Sequence, residues 1–269
     1  IESPNSFSDY MGASLKTAAI TEDDLPNKSS KGTGNTTQIV DEYLKGNKSD
    51  EEVMQALSLL AKESGIELSE YKTKYNRDYQ RYDDYILGWT YYFNKTKGWN
   101  IDPEVIKAMM YIESHIGYSE MPSPNANIKN DVMQVLDPRN PAVYAFANVD
   151  PKGGSAIKVD DGNGNYIILN TLDSAYTPTK WDGSYYVGVA NRLFKKNGAF
   201  YEYQYDKSSP VLSTGLGIYY YGIILEGSKS RDPFEAAKNY NGSPQHKQAY
   251  MNRVKAIVNA GGANVDNWP

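Results

Sequence analysis

Residues 105–120 read VIKAMMYIESHIGYSE, and one acid sits where the oily pattern calls for an apolar residue. Ile106, Met109, Met110 and Glu113 fall at offsets 0, 3, 4 and 7, so the carboxylate shares the apolar face of a helix. Upstream, Asp102 is placed as an N-cap, Pro103 at the first helical position and Glu104 in the first turn, and Gly117 is the natural stop. A carboxyl group on that face is desolvated, and it lies near the negative end of the helix dipole. Both effects disfavour its charged form. Glu113 is therefore expected to keep its proton near neutral pH, as a proton donor or as a structural acid paired with a buried Arg or Tyr.

Outward from this helix the pattern is mostly helical. NTTQIVDEYLKG reads as a short helix ending at Gly46, and KSDEEVMQALSLLAKESG opens with Ser49 and Glu52 as a capping box and stops at Gly65. Together they make a helical hairpin. In the next segment Tyr71, Tyr75, Tyr79, Tyr82, Ile86, Trp89 and Phe93 recur every three or four residues, which predicts one stripe of a long helix used for packing, with a sugar platform as the rival use. Further helices are expected at about 212–226, from Asp232 and Pro233 to about 242, and at 243–261. Residues 1–35 mix Ser, Asn, Gly and Pro and read as a loosely held arm. Residues 122–212 break into Pro-, Gly- and Asn-rich pieces, among them AIKVDDGNGNYIIL (156–169), whose flanks alternate around a Gly-Asn turn as in a β-hairpin.

The 269 residues, 40% hydrophobic, can bury a sizeable core. A net charge of -5 lacks the basic footprint a nucleic-acid partner or anionic membrane needs, and no apolar run approaches the ~20 residues of a membrane helix. The absence of cysteine removes thiol nucleophiles and Cys-ligated zinc. His115 and His246 are too few and too far apart for a histidine-rich zinc site, and DDGNGNY places Tyr166 where a calcium loop starting at Asp161 needs Gly. With no G-x-S-x-G elbow and no phosphate-binding Gly-Lys loop, no metal or cofactor is expected.

Three pieces, in order, resemble the goose-type lysozyme and soluble lytic transglycosylase family. IDPEVIKAMMYIESHIG is similar to the family's catalytic helix with its Glu-Ser pair, DVMQV (131–135) looks like its Gly-Leu-Met-Gln segment, and AAKNYNG (236–242) is similar to its Ala-Tyr-Asn-Ala-Gly signature. Asp131 and Val132 depart from the family's Gly and Leu. The likeness covers roughly 80–136 and 210–260. It implies an α+β, mainly α, lysozyme-like fold at 71–269 with a small β-containing insertion at about 140–210, preceded at 1–70 by the arm and helical hairpin. It implies Glu113 as the catalytic acid, with Ser114, Met133, Gln134, Tyr240 and Asn241 as substrate-binding neighbours.

The activity so implied is cleavage of the β-1,4 bond between N-acetylmuramic acid and N-acetylglucosamine in peptidoglycan, outside the cytoplasm. A lone Glu113, acid and then base, makes a lytic transglycosylase; a second carboxylate holding water makes a lysozyme. Asp131 and Asp137 are the candidates for that partner, against plainer roles as a helix or turn cap and as a turn starter before Pro138. Ser114 follows the acid without a base to activate it and reads as a local hydrogen-bonding residue. Tyr166, Tyr176, Tyr185, Tyr186, Tyr201, Tyr203 and Tyr205 of the insertion are candidates for a wall of the glycan groove, with Trp181 as another stacking candidate. Two other readings stand beside these: a catalytically silent glycan-binding module, and the glycan-cleaving part of a larger secreted or cell-wall-penetrating assembly.

Overall fold

The computed structural model describes residues 32–75, 77–118, 130–136, 209–263 and 265, together with the backbone of four strands. Among the described residues the chain is mainly helical, with seven helices: α1 (Gly32–Leu44), α2 (Asp50–Ser64), α3 (Asp83–Lys97), α4 (Pro103–Ser114), α5 (Pro210–Gly227), α6 (Pro233–Tyr240) and α7 (Lys247–Asn259). Strands β1 (Val149–Asp160), β2 (Tyr166–Pro178), β3 (Phe194–Asn197) and β4 (Phe200–Tyr203) pair in the order β1-β2-β4-β3. Ile157 lies opposite Leu169 in the antiparallel β1–β2 pair; the turn between them, 161–165, lies outside the described residues, as does the arm up to residue 31.

The helix ends are set by local chemistry. Ser49 accepts from the Glu52 amide while the Glu52 carboxylate accepts from the Ser49 amide, so α2 starts on a closed capping box, and it ends at Gly65 in the left-handed region. Asp102 and Asp232 each cap a helix whose first residue is proline. α5 is apolar all round and is the central buried helix. Its glycines admit close neighbours: a Cβ on Gly215 would stand 2.7 Å from the Trp89 indole, and one on Gly222 would overlap Trp99. Trp89 also donates a 3.0 Å hydrogen bond to the Val211 carbonyl. Next to Trp89 in α3, Gly88 lies against the backbone of α2 at Leu57. One hydrophobic cluster runs from Val40 in α1 through α2–α7 to Val265, so the helical hairpin is built into the same core as the helices after residue 83.

The long tyrosine helix is the main correction. The helix begins only at Asp83, and residues 66–75 and 77–82 run over the core without forming one. Tertiary bonds take the segment's polar groups: Lys72 donates to the Gly262 carbonyl at 3.0 Å and accepts from Val265 at 3.3 Å, while the Glu104 carboxylate accepts from the Ser69 amide at 2.6 Å. Tyr71 and Tyr79 each meet the Tyr111 ring at 5.7 Å. Helical spacing in the sequence thus records two separate sets of buried contacts, with Tyr75 left 43% exposed between them. The packing use of the stripe holds for Tyr71, Tyr79, Ile86, Trp89 and Phe93, all core residues. The last helix also starts later than its sequence pattern, at Lys247, because residues 243–246 form a turn in which His246 donates to the Ser243 carbonyl.

Candidate active site

Glu113 comes to its position because α4 buries nearly its whole circumference, from Val105 to Ser114. The residue is 9% exposed. Burial pushes its carboxyl up to about 7; the Tyr250 hydroxyl and the Arg253 charge pull the other way, and the Asp131 charge adds to the rise. The expectation of a proton-holding acid rested on desolvation, and desolvation is the largest cause here.

The helix stops one residue after the acid and not at Gly117. His115, Ile116 and Gly117 are successively left-handed, with φ of 48°, 55° and 75°. The Ile116 amide reaches back to the Met110 carbonyl at 3.4 Å and the His115 amide to Tyr111 at 2.7 Å, so the turn closes the helix end. A β-branched residue at positive φ is strained, and the surroundings hold it there. Arg81 Nε donates to the Ile116 carbonyl at 2.9 Å with its guanidinium 3.9 Å above the Tyr118 ring, and Arg77 donates to the Tyr118 carbonyl at 3.0 Å. The Ser114 hydroxyl accepts from the Gly117 amide at 2.9 Å. A Cβ on Gly117 would strike the Arg81 guanidinium. Gly117→Ala is therefore expected to cost about 1–2 kcal/mol from the left-handed backbone alone and to displace Arg81, read as a lower urea midpoint.

Residues 131–136 form a buried turn under the acid. Asp131 organises it: its two carboxylate oxygens accept from the Val135 and Leu136 amides, both at 2.9 Å, and one also accepts from the Ser213 hydroxyl at 2.6 Å. Ser213 in turn accepts from the Met133 amide at 2.9 Å. Asp131 thus caps this turn, the role given by the plainer of its two sequence readings. Gln134, left-handed at φ 58°, donates from its side-chain amide to the Glu113 carbonyl at 3.1 Å, which ties the turn to the acid's own backbone. Ser114 donates to the Val132 carbonyl at 2.9 Å and is buried, so its bonding lies within the protein. Met133 is wholly buried against Gly217 of α5. Asp137 lies outside the described residues, as do Trp181 and the side chains of the tyrosine-rich insertion.

The α6 and α7 helices complete the surroundings. Tyr240, the last residue of α6, donates to the Met133 carbonyl at 2.7 Å and is close enough to Glu113 for the two groups' charges to interact. Asn241 is used locally, its side-chain oxygen accepting from the Ser243 amide at 2.9 Å. Two residues not picked out from the sequence lie on α7. The Tyr250 hydroxyl is enclosed without a fully formed hydrogen bond, and the polar group it meets is the Glu113 carboxyl. Arg253 stands one turn further along. The only sequence signal for either is the stripe Tyr250, Val254, Ile257 at spacings of four and three, which marks a packed face without saying what it packs on. Here it packs on α4.

Glu113, Gln134, Tyr240 and Tyr250 thus meet at one place from four separate parts of the chain. A protonated carboxyl in such a place can donate a proton to a substrate oxygen and then recover one from a nucleophile. Among the described residues no cluster of acids and histidines is arranged to hold a metal, and no helix is long and apolar enough to cross a membrane. Comparison with protein-family models, with curated proteins and with solved structures finds no match.

Proposed function

We propose that this chain is a peptidoglycan-cleaving glycosidase of the lytic transglycosylase type, working outside the cytoplasm with Glu113 as its acid. The observation that carries the reading is the Glu113 carboxyl, held at about 7 by burial at the end of α4 and faced by Tyr250, with the Gln134 amide fastened to its main chain. The motif likeness of 103–117, 131–135 and 236–242 supports it, and residues from all three stretches lie around that carboxyl. On this reading the helical body belongs to a lysozyme-like fold, the strands to an insertion at about 140–210, and α1 and α2 to an N-terminal extension.

In the reaction, protonated Glu113 donates to the oxygen joining N-acetylmuramic acid to N-acetylglucosamine as the C1–O bond breaks and positive charge develops on the sugar ring. The carboxylate left behind takes the proton of the muramic acid C6 hydroxyl, whose oxygen closes on C1 to give a 1,6-anhydro sugar. A lysozyme outcome needs a second carboxylate free to hold a water. Asp131 has its oxygens engaged by two amides and a hydroxyl, which favours the single-acid route.

The test is digestion of purified peptidoglycan by the wild-type protein and by Glu113→Gln, followed by mass spectrometry of the released fragments. Anhydro-ended fragments from the wild type alone are the expected result, and reducing ends would redirect the assignment to a lysozyme. No release by the wild type, or equal release by both proteins, would overturn it.

A further inference from the structure

Residues 71–82 carry Lys72, Lys74, Arg77 and Arg81 against one acid, Asp78, in a chain whose net charge is -5. Two of these cations are fastened to the end of the helix that bears Glu113. Arg81 Nε donates to the Ile116 carbonyl at 2.9 Å and Arg77 Nη1 to the Tyr118 carbonyl at 3.0 Å, three and five residues beyond the acid. Both guanidiniums lie over the Tyr118 ring, at 3.9 Å and 5.3 Å from its centre. Arg81 also stands 4.6 Å over the Tyr82 ring and Arg77 4.8 Å over that of Tyr75.

This face is open to solvent: Lys72 and Lys74 are exposed, Tyr75 is 43% exposed, and Arg77, Arg81 and Tyr118 are half-buried. Among the described residues Arg81 spends only Nε on a hydrogen bond, and its Nη groups are not among the buried atoms left without a partner, so they reach the surface. The nearby acids are turned elsewhere. Asp78 accepts from the Gln80 amide, Asp84 from the Ser58 hydroxyl, and Asp83 pairs with Lys107. A guanidinium stacked on an aromatic ring uses its flat face there and keeps its N–H edge for an acceptor in the same plane, where a carboxylate takes two parallel hydrogen bonds. Two positive charges held over one ring repel each other, and an anion bound beside them relieves that repulsion.

We propose that Arg81 and Arg77, carried on the rings of Tyr75, Tyr82 and Tyr118, form a carboxylate-binding subsite that receives the stem peptides of peptidoglycan outside the reacting centre. The inference rests on the glycan-cleaving reading for the identity of the polymer. A strand whose glycosidic oxygen lies at Glu113 brings the peptide of a muramic acid residue to the end of α4, and the protein prefers strands with charged stems over strands with neutral ones. In a chain of net negative charge, a local group of cations is what admits an anionic polymer at this place.

The experiment uses one polymer in two charge states: peptidoglycan with its stem peptides intact, and the same material with the stem carboxylates converted to methylamides. Binding is measured by co-sedimentation, with Glu113→Gln as the non-cleaving background. That protein is expected to bind the carboxylate form about tenfold more tightly, the worth of one charge-assisted pair, and to lose the preference as salt is raised. Arg81→Gln should abolish most of the preference, and Arg81→Lys should recover part of it, since it restores charge without the fork. Because Arg81 also holds the end of α4, Arg77→Gln is the second variant; it leaves the Arg81 bond to Ile116 in place and should reduce the preference on its own. Binding of the methylamide form reports whether each variant is folded. Equal binding of both forms by the background protein, no binding of either, or a preference that survives both substitutions would overturn the subsite. Fragment release from both forms by the wild type is scored separately: cleavage without a charge preference leaves the enzymatic reading standing and removes the subsite, whereas an Arg81-dependent preference without cleavage supports the subsite and removes the enzymatic reading.

Discussion

Glu113→Gln is expected to stabilise the fold above pH 7 and, under the proposed glycan-cleaving function, to slow cleavage by about 10²–10⁴-fold, the range that a positioned general acid contributes. The two effects share one cause. Burial raises the carboxyl from its ordinary 4.5 to about 7, so between those pH values the native state binds a proton that the unfolded state has released. Stability therefore falls as pH rises through this window, by about 3 kcal/mol in all at 1.36 kcal/mol per pH unit. Glutamine has a similar shape and never ionises. The variant should consequently melt higher than the wild type at pH 8 and show no such advantage at pH 4, which calorimetry at the two pH values measures. The wild-type rate should decline as pH rises through about 7, as the acid form is lost. A pH-independent stability difference between the two proteins would show that the acid is not desolvated in the folded chain.

Lys107→Met is expected to be the most damaging of the single changes away from Glu113, costing about 3–5 kcal/mol at pH 8. Lys107 is completely buried on α4, and its ammonium lies 2.8 Å from both oxygens of Asp83 at the start of α3. It also donates to the Ser69 carbonyl at 2.9 Å and sits 4.8 Å over the Tyr71 ring, so one side chain ties α4 to α3 and to the segment that replaces the expected helix. Removing it leaves a partly buried carboxylate alone. That carboxylate already sits at about 6 because burial outweighs the attraction of Lys107, and without the lysine it should rise further. Protonation of Asp83 then relieves the variant at low pH, so its deficit against wild type should shrink below pH 6. Lys107→Met with Asp83→Asn should recover most of the loss, because the pair leaves together. Urea unfolding of the four proteins of the cycle at pH 5 and 8 reads both statements.

Much of the scaffold was legible because its signals are local. The Ser49–Glu52 capping box, the Asp102-Pro103 and Asp232-Pro233 helix starts and the αL glycine at 65 each depend on groups within a few residues of one another. The buried position of Glu113 was legible for the same reason, since the period of a helix decides which residues share its face. The tyrosine segment misled because spacing of three or four residues is necessary for a helix and not sufficient. Lys72, Ser69 and Tyr71 find their partners in α4 and in the chain's last residues, and these contacts are long in sequence.

From sequence alone follow the mainly helical class, the acid on an oily helix face and the rise in its proton affinity, because periodicity and desolvation need only the residues of α4. Which groups surround that acid was decided by tertiary structure. The 131–136 turn, the end of α6 and the packed face of α7 are brought to Glu113 by the buried core formed with α5, and no local rule specifies which faces meet there. Asp131 is the clearest case: its sequence admits a second catalytic carboxylate and a turn cap alike, and the amides of Val135 and Leu136 and the hydroxyl of Ser213 reach it only through the tertiary fold.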